Sequence, residues 1–134
     1  MKIEPRLHHC CQNIVKGHLN DVVELYKLLN FGIVYNPGKN AGWIMVGQKQ
    51  LDFAIQIAEV SDTPILNINI KKQTHIAFIS NNPKDLIKKV QLWAENKGFK
   101  FRHGGWSEIE LFFDLPDIFI NSVIEVMDTS ILNS

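Results

Sequence analysis

The chain has 134 residues, 46% of them hydrophobic, enough for the core of a single domain. Fourteen Lys and Arg balance fourteen Asp and Glu with no basic stripe, which argues against a nucleic-acid or membrane-surface partner. No apolar run nears the roughly 20 residues that span a bilayer. The opening MKIEPRLHH has no signal-peptide core, and the two cysteines are adjacent and poorly placed to bridge, so a reducing, cytoplasmic setting is expected.

The segment RLHHCCQNI opens the chain as a strand. In a strand, successive side chains point to opposite faces. His8 and His9 are therefore expected on opposite faces, and at most one of them can belong to a given site. Cys10 and Cys11 are expected as small buried fillers, one per face. An amphipathic helix follows in HLNDVVELYKLLNFG, with Leu19, Val22, Val23, Tyr26 and Leu29 as its apolar stripe. The segments FGIVYNPG, GWIMVG and LDFAIQIAEV then read as three strands, and residues 61–71 as a linker.

The second half repeats this order. THIAFIS is a strand. The stretch 82–98 is a helix, capped by Asn82, started by Pro83 and stopped by Gly98, with Leu86, Ile87, Val90 and Trp93 as its stripe. FKFRHGG, EIELFFD and NSVIEVM are three further strands. The offset is 66 residues from His9 to His75, from Tyr35 to Phe101 and from Gly38 to Gly104, and 69 from Gln56 to Glu125. A fixed long period implies a duplicated unit.

The repeat singles out four polar residues in apolar strands. His9 and His75 lie on the first strand of each half, Gln56 and Glu125 on the last. A buried carboxylate such as Glu125 requires a cation, a donor or water. Two imidazoles, a carboxylate and a carboxamide suit a divalent ion with water completing the shell. His8 and His18 read as surface or helix-entry residues, His103 as a solvated turn residue, and the lysines of IKKQ and LIKK as solvated faces.

The pattern LHH, the helix ending LYKLLNFG, the second opening THIAFIS and the closing VIEV together resemble the vicinal oxygen chelate superfamily. That superfamily includes glyoxalase I, fosfomycin-resistance enzymes, extradiol dioxygenases and bleomycin-resistance proteins. The resemblance covers roughly residues 5 to 128 and implies an α+β fold: two paired βαβββ modules forming a curved mixed sheet around a central cleft. Module one is then 5–60, the linker 61–71 and module two 72–128. It places His9 rather than His8, with Gln56, His75 and Glu125, at the four positions that hold a divalent metal (Ni, Zn, Mn or Fe). Gln56 stands where glyoxalase I commonly has Glu.

What the resemblance implies for function is a lyase or isomerase acting on a small oxygen-chelating substrate, with Glu125 moving a proton and Trp43, Arg102 and Trp106 lining the substrate cleft. His9, His75 and Glu125 also form the two-histidine, one-carboxylate set of non-haem Fe(II) dioxygenases. A metal-free, bleomycin-resistance-like binding protein is the contrasting reading. A homodimer is the expected assembly.

Overall fold

A computed structural model describes residues 4–49 and 51–133. The chain divides into two units, Met1–Val60 and Ser61–Ser134. Residues 61–71, expected as a linker, are built into the second unit: Ile65 N–H donates to the Ile120 carbonyl, and Lys71 is fully buried. Among the described residues, no helix is long and apolar enough to cross a membrane.

The first unit runs β1 (His9–Val15), α1 (Leu19–Leu28), β2 (Gly32–Tyr35), β3 (Trp43–Gly47) and β4 (Ala54–Val60). Its sheet has the order β1-β4-β3-β2, with β1 parallel to β4 and the other pairs antiparallel. A parallel neighbour for the first strand demands a crossover, and α1 supplies it. Val22, Val23, Leu25 and Tyr26 of α1 are buried. From the sheet, Gln12, Ile14, Ile55 and Ile57 meet them at alternate positions. At the centre, the Tyr26 hydroxyl donates to Gln12 Oε1 at 2.5 Å, which satisfies the amide oxygen, while the buried Gln12 Nε2 has no hydrogen-bond partner among the described residues.

The second unit runs a short α2 (Ile68–Lys71), β5 (His75–Ser80), α3 (Pro83–Lys97), β6 (Arg102–Gly105), β7 (Glu110–Asp114), β8 (Val123–Asp128) and a final 3₁₀ turn. The sheet order β5-β8-β7-β6 repeats that of the first unit, again with its outer pair β5 and β8 parallel. The local signals for α3 work as expected. The Asn82 side chain accepts from Asp85 N–H, Pro83 sits in the first turn, and Gly98 closes the helix in the left-handed region at φ 78°. Its buried stripe is Pro83, Ile87, Val90 and Ala94. Leu86 and Trp93 flank that stripe, and Trp93 packs edge-on against Phe99.

The internal repeat is a repeat of register at the outer strands. His9 pairs with Ala54 and Cys11 with Gln56; His75 pairs with Val123 and Ala77 with Glu125. The second strands correspond differently from the expected 66-residue offset. Tyr35 faces Met45 as Gly104 faces Phe112, so Gly104 rather than Phe101 is the counterpart of Tyr35. The reason is length: α3 has 15 residues and α1 has 10, which delays β6, and a tighter β6–β7 turn recovers most of the difference.

Candidate functional site

The pairing of β5 with β8 builds the best-defined cluster. Side chains two residues apart on a strand share a face. Glu125 lies opposite Ala77, so His75 stands on the same face as Glu125, one step along. His75 Nε2 is 3.3 Å from Glu125 Oε1. His75 Nδ1 lies 2.9 Å from the Lys72 carbonyl oxygen. A carbonyl can only accept, so Nδ1 carries the proton and donates it. In the neutral ring this leaves Nε2 as a lone pair facing the carboxylate, whereas the imidazolium would donate from Nε2 to it. A lone pair and a carboxylate oxygen at that distance repel unless a proton or cation is shared between them.

Glu125 is 6% exposed, in a strand whose neighbours Val123, Ile124 and Val126 are buried. Burial pushes its carboxyl above the usual carboxylate range; His75 draws it back and Glu110 raises it further. Aromatic rings flank the pair. Trp106 lies 5.0 Å from the His75 ring and 5.3 Å from Phe112, and Phe112 is the strand partner of Glu125. Lys72 Nζ stands 5.9 Å from the Trp106 ring centre and 5.8 Å from that of Phe112.

In the first unit, the equivalent pair is His9 and Gln56, on the face of the sheet away from α1. His9 is exposed and Gln56 half-buried. Across β3, Met45 is the strand partner of Gln56, and Trp43 stacks on Tyr35 at 5.6 Å and 21°. A groove of about 610 Å³ is lined by these two rings with His8, Met45 and Phe53.

Several expectations are corrected. His8 lies just before β1, so strand alternation does not separate it from His9; the two Nδ1 atoms are 3.0 Å apart with the rings edge to face. Cys10 is half-buried and Cys11 exposed, so neither is a buried filler. Partial burial raises both thiols, and for Cys11 the neighbouring Cys10 adds to it. The lysines of IKKQ are not a solvated face: Lys71 is wholly buried against Asp114 and Lys72 is half-buried over Trp106 and Phe112. His103 lies on β6 rather than in a turn, exposed beside Phe101.

Of the expected substrate residues, Trp106 adjoins the His75–Glu125 pair, 39% exposed, and Trp43 sits in the first unit's groove. Arg102 turns inward: its Nε donates to Asp114 Oδ2 at 2.8 Å and Nη1 to the Leu66 carbonyl at 2.9 Å. Lys72 and the Lys71–Asp114 pair were missed. The signal for the latter was present, since Asp114 ends the apolar run ELFFD and a carboxylate there requires a cation. Among the described residues, no group of three or more His, Cys, Asp or Glu side chains is arranged to hold a metal ion. The His75–Glu125 pair nonetheless fits two ligands of one ion: bonds of about 2.1 Å set roughly 100° apart place ligand atoms about 3.2 Å from each other.

No family model matches the sequence, and no curated protein matches it. Solved structures do match. Glyoxalase I of Leishmania major, described as trypanothione-dependent, superposes with a TM-score of 0.62 at 13% identity, over 97% of this chain and 91% of that one. A mutant of the fosfomycin resistance protein FosX from Listeria monocytogenes, complexed with Mn(II) and 1S,2S-dihydroxypropylphosphonic acid, gives 0.57 at 15% identity, over 94% and 93%. TnmS3, an antibiotic binding protein from Streptomyces, gives 0.52 at 10% identity, over 96% and 98%. Near-complete coverage in both directions, with the doubled β-α-β-β-β order, identifies the chain as having the vicinal oxygen chelate fold of the glyoxalase, fosfomycin-resistance and bleomycin-resistance proteins.

Proposed function

We propose that the chain is a divalent-metal-dependent enzyme of the lyase or isomerase kind. Its ligands are His75 and Glu125 from one module and His9 and Gln56 from the other. The observation that carries this reading is the His75 Nε2–Glu125 Oε1 approach of 3.3 Å, with Nδ1 already committed to the Lys72 carbonyl. A second-sphere acceptor of this type is what orients a metal-ligating imidazole. The matched register of His9 with Gln56 supports the second pair.

A bound nickel, zinc, manganese or iron ion would supply Lewis acidity toward a small substrate offering two oxygens. The protein's own part is to move a proton at the Glu125 carboxylate. Trp106 and Phe112 would give the substrate an aromatic surface beside the pair. The expected assembly is a homodimer, which light scattering tests.

The deciding experiment is metal content by plasma mass spectrometry, in wild type and Glu125→Ala. One ion per chain, lost in the variant, supports the enzyme. No ion after incubation with excess divalent metals overturns it.

A second reading is favoured by the Tyr35–Trp43 stack in the groove of the first unit, a surface suited to a planar ligand. On this reading the chain sequesters an aromatic small molecule without turnover. Quenching of Trp43 fluorescence by bleomycin in EDTA, abolished in Tyr35→Ala, tests it.

A further inference from the structure

The second unit contains a buried charge cluster that the proposed function does not use. Lys71 Nζ lies 2.8 Å from Asp114 Oδ1, with both side chains fully buried. The other carboxylate oxygen takes the Arg102 Nε–H, and Arg102 reaches on to the Leu66 carbonyl. Burial lowers the proton affinity of Lys71, against the pull of Asp114. The Lys71 contact is a charge contact rather than an aligned hydrogen bond. A pair of apolar side chains would hold a four-residue helix at least as well, since desolvating two charges commonly outweighs their attraction. The arrangement is therefore informative about what the charges hold in place.

They hold α2 at both ends. Leu66 is the residue before its cap, Asn67, and Lys71 is its last residue. Both are tied to the one carboxylate of Asp114 on β7, one directly and one through Arg102. The residue after the helix is Lys72. Its N–H donates to Ile68 within the same turn, and its carbonyl receives the His75 Nδ1 proton at 2.9 Å. That carbonyl and Glu125 Oε1 are the two acceptors that compete for the ring hydrogen, so the position of the carbonyl biases which ring nitrogen carries it.

We infer that Asp114, with Lys71 and Arg102, is a positioning cluster: by pinning α2 it holds the Lys72 carbonyl where it fixes the His75 tautomer and leaves Nε2 as the acceptor facing Glu125. The importance of this tautomer rests on the function proposed above; its cause does not. None of the three side chains touches the reacting atoms, so their effect passes through His75.

The test is long-range proton–nitrogen NMR of the histidine rings in the full-length protein. EDTA is present and the pH is about 8.5, above the ordinary imidazole range. Wild-type His75 should show Nδ1 protonated. In Asp114→Asn and in Lys71→Met, the equilibrium should move about tenfold toward the Nε2–H form, the size of one hydrogen bond lost. Folded variants that keep the wild-type His75 tautomer overturn the proposal, because a merely structural cluster alters stability and leaves the ring unchanged. If neither variant folds, Arg102→Met removes the Arg102 bridge from Asp114 to Leu66, leaves the Lys71–Asp114 pair in place, and carries the same expectation and the same overturning result. A chain that binds no metal but whose His75 tautomer follows Asp114 removes the enzyme reading alone; metal loading with an indifferent tautomer removes the positioning alone.

Discussion

His75 Nε2 and Glu125 Oε1 stand 3.3 Å apart on neighbouring parallel strands, and His9 and Gln56 occupy the same register positions in the other module. The chemistry of the two pairs differs in one respect. The carboxylate of the second is a carboxamide in the first, so on the proposed metal-binding reading the duplicated unit would offer one strong anionic ligand rather than two.

That difference predicts the response to Gln56→Glu. An added carboxylate should tighten divalent-metal binding by about tenfold or more, the scale of a charge-assisted contact. His75→Ala should abolish binding. Isothermal titration with Mn(II) and Zn(II) measures both, and unchanged affinity in Gln56→Glu would remove Gln56 from the ligand set.

The buried carboxyl of Glu125 predicts a pH-dependent stability in EDTA. Burial raises its folded proton affinity above that of the unfolded chain. Between the two values the folded state binds more proton than the unfolded state, so stability falls as pH rises through that window. Glu125→Gln removes this titration. The variant should melt above wild type at pH 7, with the gap closing as pH falls to the ordinary carboxylate range. Thermal melts across that range check it; a gap that widens toward acid contradicts it.

Tyr26→Phe should cost about 1–3 kcal/mol, because Gln12 would keep its buried amide and lose its 2.5 Å donor. Urea unfolding measures the loss. A neutral substitution would mean that water reaches Gln12.

Gly105→Ala should destabilise by about 1–3 kcal/mol. A methyl there would lie 2.8 Å from Leu111 Cδ2 and 3.1 Å from the carbonyl oxygens of Ser107 and Glu110, and the two backbone atoms cannot rotate away. The β6–β7 turn must then move, and with it Trp106. The expected signature is a shifted Trp106 fluorescence or indole resonance alongside the lower melting point.

The Lys71–Asp114 cluster shows where reading the chain by local pattern stops. Two adjacent lysines in IKKQ looked solvated because a charge run usually is. One is buried because Asp114, 43 residues later, ends a strand pointing at it. The vicinal cysteines misled for a related reason: residue type favours burial, but only the neighbours of an outer strand decide it. Arg102 drew attention beside a glycine turn, and its partners Asp114 and Leu66 were invisible without the folded second unit.

By itself, the sequence determined the order of the eight strands and the two long helices, the caps of α3, the internal duplication and the correspondence of His9 with His75 and Gln56 with Glu125. These follow from periodicity and turn chemistry, which act over a few residues and survive in one dimension. The tertiary structure alone decided which nitrogen of His75 faces Glu125, how far β6 slips against its counterpart, and which lysine of a pair is buried. Those outcomes depend on contacts between residues far apart in the chain. There, desolvation and charge pairing outweigh local preference, and neither leaves a periodic trace in the sequence.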